Sequence, residues 1–150
     1  NLYRNIEWPV VVMLAAMIPV GQALETSGIS LNIANFISTT TDGMALPWLI
    51  LMILVITMFI SDIVNNAATA VIMAPIAANL ALQVGQPVEP FLMAVAVGAS
   101  CAFLSPIGHQ CNTLVMAPGN YKFGDYWRLG LPLECVIVAI SIPMILFVWT

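Results

Sequence analysis

Asp, Glu, Lys and Arg make up 7% of this 150-residue chain, against about 25% in an ordinary soluble domain. So few charges cannot cover a water-facing surface of this size. Hydrophobic residues make up 61% of the chain and its mean hydropathy is +1.02. The bilayer must therefore act as the solvent for most of the surface. Three cations and a net charge of −4 remove nucleic-acid binding from consideration.

The length suits one domain. The chain opens on Asn1-Leu2-Tyr3-Arg4 rather than Met, which reads as a piece of a longer protein. The first apolar stretch lacks the small-residue cleavage pattern of a signal peptide. Cys101, Cys111 and Cys135 have no metal-ligand spacing, and their odd number at apolar positions argues against a disulfide framework. They read as small core residues.

The hydrophobic pattern predicts an all-α integral membrane fold. Residues 8–24 are long enough to span. Residues 28–40 are short and mix Ser30, Asn32, Asn35 and Ser38 with apolar positions, which suits a helix at the interface or against other helices. Residues 45–82 are two apolar runs around a polar break, predicting a re-entrant helical hairpin. Residues 91–117 form one broken span, and residues 131–150 a final span. Gln86, Pro87, Glu89 and Pro90 mark a loop between the hairpin and the broken span. With this topology Arg4, Lys122 and Arg128 fall on one side and Glu25, Asp42 and Glu89 on the other. The positive-inside rule makes the cationic loops cytoplasmic. Trp8, Tyr121, Tyr126, Trp127 and Trp149 stand near predicted span ends, as interfacial aromatics do.

The two breaks carry the chemistry. Irregular backbone at membrane depth is tolerated only where it faces protein or a watery cavity. The first break is Ser61-Asp62-Ile63-Val64-Asn65-Asn66. Asn disfavours helix interiors and suits caps, so a helix starting here would direct free N–H groups outward, an end that attracts anions. Asn and backbone oxygens suit a sodium ion, and an intramembrane carboxylate such as Asp62 is costly and usually functional. The same residues would also serve as a plain loop between two full spans, with Asp62 in water. Each flanking run is roughly 16 residues, short of the 20 or so a span needs, which favours the hairpin. The second break, Ser105-Pro106-Ile107-Gly108-His109-Gln110-Cys111-Asn112, combines helix-loosening Pro106 and Gly108 with polar Ser105, His109, Asn112 and Thr113. Discontinuous helices are where secondary transporters place substrate and coupling ions. His109 is the single histidine; a lone His is commonly a hydrogen-bonded structural residue, and its place inside a break opens a functional role. No phosphate loop, nucleophile–base pair or zinc motif competes, so no enzyme is expected.

Asn65-Asn66-Ala67-Ala68-Thr69-Ala70 resembles the hairpin signature of the divalent-anion/sodium symporter family, Ser-Asn-Thr followed by Ala-Thr-Ala. Asn66 matches the signature Asn, while Asn65 and Ala67 replace its Ser and Thr. The second break is similar to that family's unwound helix, with Pro106 and Asn112 aligned. Tyr3-Arg4-Asn5-Ile6-Glu7-Trp8 and Phe123-Gly124-Asp125-Tyr126-Trp127-Arg128-Leu129-Gly130 resemble a bacterial branch that carries TrkA-type domains in a cytosolic loop. The resemblance implies the C-terminal half of an inverted repeat, with a missing N-terminal repeat, a homodimer and elevator-type movement in an inner (plasma) membrane. It further implies cation-coupled symport of sulfate or a di- or tricarboxylate, with sodium, or alternatively a proton, as coupling ion and no resident cofactor. Departure from the signature Ser and Thr leaves open whether Asp62 supports proton coupling instead.

Asn65, Asn66, Thr69, His109, Asn112 and Thr113 are the expected substrate-binding residues. Asp62, Asn65, Asn66, Ser105, Gly108 and Asn112 are the expected ion-binding residues. With no intramembrane Arg, the anion would be held by helix dipoles, amides and hydroxyls. A sodium/proton antiporter of the same superfamily and a non-transporting membrane scaffold are the alternatives.

Overall fold

A computed structural model describes residues 8–41, 43–106, 108–116 and 118–149. Arg4, Asp42 and Ala117 lie outside the described residues. The secondary structure of the described residues is all helical: α1 (Trp8–Thr26), α2 (Ile29–Thr40), α3 (Leu46–Ile63), α4 (Asn66–Gln83), α5 (Glu89–Ala99), α6 (Gln110–Met116) and α7 (Tyr126–Trp149), with a 3-10 turn at Phe123–Asp125 before α7. Among the described residues, Leu46–Ile63, Asn66–Gln83 and Phe123–Trp149 are long and apolar enough to cross a membrane.

The helix pair α3–α4 forms the centre. Helix α5 packs on both of its arms and on α7, while α1 and α2 pack on α4. Ile50, Ile53 and Leu54 of α3, Ala77, Leu80 and Ala81 of α4, and Phe91 and Ala94 of α5 are essentially fully buried at this junction. In lipid, helices gain little from excluding water, and association rests on close packing of small residues and on interhelical hydrogen bonds. Gly98 shows the closeness: a Cβ there would lie 2.9 Å from both the Leu54 carbonyl and the Thr57 Cβ. Helix α2, Ile29–Thr40, buries Ser30 and Ala34 against α4, where Asn79 Nδ2 donates to Ser30 Oγ at 3.4 Å. Helix α7 is different. Only Gly130 and Ile145 along it are buried, leaving an apolar surface for lipid or further protein.

The element boundaries differ from those the sequence pattern suggests. The first break is only Val64–Asn65, since α3 continues through Asp62 and Ile63 and α4 restarts at Asn66. The second break is longer and earlier than the Pro-Gly cluster suggests: α5 ends at Ala99 and α6 begins at Gln110, although residues 100–104 are largely apolar. The last helix starts at Tyr126 rather than 131. Of the three cysteines only Cys101 is buried, whereas Cys111 and Cys135 are exposed. The core reading therefore holds for Cys101 alone.

Candidate functional site

The tip of the α3–α4 pair meets the unwound segment between α5 and α6, and the two breaks form one polar cluster. On the tip side, Asn65 caps α4: its Oδ1 accepts from the Ala68 N–H at 2.8 Å. Asn66, the first residue of α4, turns toward the unwound segment. Its amide is oriented by its neighbours. With nitrogen inward, it donates to the carbonyls of Ala99 (3.0 Å) and Gly108 (3.2 Å) and to Ser61 Oγ (2.9 Å). The reverse orientation would set Asn66 Oδ1 against oxygens that only accept, so the neighbours select nitrogen inward. The Ser61 hydroxyl reaches Ala99 O at 2.7 Å, and three oxygens, Ser61 Oγ, Ala99 O and Gly108 O, converge on the Asn66 amide.

The approach at Gly108 depends on its missing side chain. A Cβ there would stand 2.6 Å from the Ala102 Cβ and 2.9 Å from the Ser61 carbonyl oxygen, closer than real Cβ contacts allow. Gly108 thus lets the unwound backbone lie directly on the end of α3.

Ten residues outside a helix leave backbone groups that need partners, at several kcal/mol for each left bare in an apolar medium. A carboxylate of the neighbouring α3 supplies an acceptor. Asp62 takes the Leu104 N–H on Oδ1 at 3.0 Å and also receives the Ser105 N–H. Asp62 is 6% exposed, and its Oδ2, like Glu134 Oε1, has no hydrogen-bond partner. The carbonyls are met by side chains from α6: Asn112 Nδ2 donates to Ala102 O (3.0 Å) and Ser105 O (3.1 Å), and Thr113 Oγ1 to Pro106 O (2.6 Å). Ser105 Oγ donates to the Asp62 carbonyl (2.6 Å) and accepts from the Gly108 N–H (3.2 Å). Tyr126 Oη fixes α6 in turn through Asn112 O at 2.7 Å.

The expected site residues therefore divide. Asn66 and Gly108 meet at the oxygen cluster, with Asp62, Ser105 and Asn112 bracing it. Asn65 spends its side chain on the cap. Thr69 is fully buried one turn into α4 with its hydroxyl unpartnered. Thr113 is exposed and bonded to Pro106. His109 is also exposed; its Nδ1 accepts from the Cys111 N–H at 3.2 Å, so it serves the start of α6 and does not join the cluster. Ser61, Ala99 and Glu134 were not singled out from sequence. Ser61 was visible inside the polar break, and Glu134 as a carboxylate inside a long apolar run. The Ala99 carbonyl carries no side-chain signal.

Comparison with known proteins decides the family. The chain matches the profile of the citrate transporter family over residues 1–98 and again over residues 47–150. It belongs to that family. It is 39% identical over 149 residues to the uncharacterized transporter YfbS of Escherichia coli, covering 97% of this chain and 24% of that protein. Sodium/sulfate cotransporter 2 of Chlamydomonas reinhardtii is 31% identical over 143 residues (92% of this chain, 16% of that protein). Sodium-dependent high-affinity dicarboxylate transporter 3 of Caenorhabditis elegans is 30% identical over 142 residues (93% and 25%). The citrate transporter family and these cotransporters agree with the resemblance to divalent-anion/sodium symporters. The chain thus belongs to a family of membrane transporters, and its relatives are transporters rather than enzymes; it spans about a quarter of the length of the first relatives it matches.

Proposed function

We propose that the protein carrying this chain is a sodium-coupled symporter of a small anion, sulfate first and di- or tricarboxylates next. The observation that carries this reading is the convergence of Ser61 Oγ, Ala99 O and Gly108 O on the Asn66 amide between the hairpin tip and the unwound segment, where turning that amide would present a fourth oxygen. Hard cations are held by oxygen ligands, backbone carbonyls among them, and broken helices are the usual source of such carbonyls in secondary transporters. Sodium here is cargo, so its ligands must also let it go. A cluster of neutral oxygens, braced by Asp62 and Ser105 rather than built from carboxylates, suits that requirement.

The anion would lie against the same tip. Asn65, Asn66 and Thr69 stand at the start of α4, where the helix dipole favours negative charge, and Asn112, Thr113 and His109 line the α6 side. The meeting of the two breaks supports a hairpin that re-enters the membrane, its tip bonded to the unwound middle of another helix. A second, inverted repeat elsewhere in the protein would complete both sites, a homodimer would carry them, and the loops with Arg4, Lys122 and Arg128 would face the cytoplasm from the inner membrane. The relatives named for sodium-coupled sulfate and dicarboxylate transport motivate the choice of ion and substrates.

The test is uptake of labelled sulfate by the complete protein in proteoliposomes, with and without an inward sodium gradient, for wild type and Asn66→Ala. Sodium-driven uptake that falls at least tenfold in the variant is expected. Sodium moving only in exchange for protons would replace symport with antiport, and equal uptake by the variant would remove the tip from the site.

A further inference from the structure

The open end of the α3–α4 pair, away from its tip, holds a second polar feature. Helix α4 ends at Gln83, and both amide atoms of that side chain, Oε1 and Nε2, are buried without a hydrogen-bond partner. Buried polar atoms are nearly always paired, because a bare one keeps its full desolvation cost. Gln83 lines a cavity of about 350 Å³ together with Ser38, Thr41 and Gln86. Two helices end beside it, α2 at Thr40 and α4 at Gln83 itself, and a helix C-terminus carries partial negative charge. Among the described residues no charged side chain lines this cavity, so nothing there would pair with a net anion.

Thr41 and Met44 line this cavity and also a second one, of about 360 Å³, which follows α3 past Trp48, Leu51, Met52, Val55 and Ile56. Beyond Thr41 its walls are apolar. At 1.5 Å per residue, Trp48 to Ile56 covers about 12 Å, most of the roughly 15 Å depth of one leaflet's hydrocarbon. Trp48 is largely exposed and stands at the polar end of the groove, where interfacial tryptophans sit. A polar pocket adjoining an apolar groove of this length is complementary to a lipid. The Gln83 amide sets the headgroup, since it needs a donor and an acceptor side by side. Phosphoethanolamine carries both, an ammonium for Oε1 and a phosphate oxygen for Nε2, and the two helix ends favour the ammonium. A choline headgroup has the charge but no N–H to donate, and a glycerol headgroup brings a net negative charge to walls without a cation.

We propose that the two cavities form a binding site for one phosphatidylethanolamine molecule, its headgroup on Gln83 between the ends of α2 and α4 and one acyl chain in the α3 groove. The lipid ties the base of the hairpin to the membrane surface. The site is separate from the polar cluster at the tip and does not depend on which ion or anion the protein carries.

The experiment is native mass spectrometry of the complete, delipidated protein in detergent, titrated with phosphatidylethanolamine, phosphatidylcholine or phosphatidylglycerol of matched chains, for wild type, Gln83→Leu and Met52→Trp. Wild type should take up phosphatidylethanolamine at least fivefold more tightly than the other two lipids. Gln83→Leu should weaken phosphatidylethanolamine at least tenfold and abolish the preference. It should leave the thermal midpoint of the lipid-free protein unchanged or raised, because an unpaired amide gives way to an apolar side chain. Met52→Trp fills the groove and should weaken all three lipids while keeping their order. Equal binding of the three lipids by wild type would reduce them to an unspecific boundary layer and overturn the proposal. A preference that survives Gln83→Leu would overturn it too. Should Gln83→Leu fail to fold, Met52→Trp decides: weakened phosphatidylethanolamine binding supports the proposal, and unchanged binding shows that another part of the protein covers the groove and overturns it.

Discussion

The two breaks in the apolar pattern solve the same problem in opposite ways. The break between α3 and α4 is two residues long and looks after itself: the Val64 N–H bonds back to Ile60 O, and Asn65 caps the helix that follows it. The break between α5 and α6 is ten residues long, and its backbone takes partners from α3 and α6 through Asp62 and Asn112. A short break is a local device written in adjacent residues. A long one is a tertiary structure, existing only when helices distant in the chain have come together. It follows that the tip should tolerate side-chain loss without unfolding, while the unwound segment should fail when a remote partner is removed.

Asp62→Leu should show the largest effect. The substitution strands the Leu104 and Ser105 N–H groups in a buried setting, where leaving one polar group unpaired costs about 1–3 kcal/mol. Together they should destabilise the fold by about 3 kcal/mol or more, read as a lowered thermal midpoint of the complete protein in detergent. Asp62→Asn keeps one oxygen acceptor and should recover most of that loss. Equal behaviour of Leu and Asn would mean that the unwound segment finds its partners elsewhere, and the contrast between the breaks would fall.

This difference also explains how much could be read from the sequence. The positions of both breaks are legible because Asn65-Asn66 and Pro106-Gly108 are poor helix residues inside apolar runs. So are the cap at Asn65 and the membrane character of the helices. The true extent of the second break is not legible. Residues 100–104 look helical on their own, and they unwind where Asp62 accepts the Leu104 N–H in place of a helix carbonyl. Local pattern cannot report a partner so distant in the chain. The oxygen cluster is half hidden for the same reason: Ser61 and Asn66 are side chains, whereas Ala99 and Gly108 contribute carbonyls that every residue has. Glu134 was legible in principle as a lone carboxylate within a 24-residue helix, and Tyr126 passed as an interfacial aromatic because nothing in its neighbours announces the bond to Asn112.

Asn65→Ala should have an intermediate effect and sharpen the comparison from the other side. Losing an N-cap costs about 1 kcal/mol, and Asn66 keeps its own contacts with Ala99 and Gly108. The thermal midpoint should drop modestly, by less than half the shift of Asp62→Leu, and sodium-driven uptake should persist. A collapse as deep as that of Asp62→Leu would mean that the tip, too, depends on its surroundings.

The smallest effect belongs to His109→Ala. Its side chain is exposed, and its one bond, to the Cys111 N–H, lies at the start of the short helix α6, where a neighbouring solvent or lipid-headgroup acceptor can substitute. A stability change within about 0.5 kcal/mol is expected, as for surface positions generally. Half-saturating sodium should not move, because the imidazole stays out of the oxygen cluster. The informative quantity is the half-saturating sulfate concentration. An increase of severalfold at constant sodium affinity would place His109 on the anion side of the site, separate from the cation side at Ser61 and Asn66. An unchanged value for both would restrict its part to starting α6, and would leave the amides and hydroxyls of the tip as the groups that meet the anion.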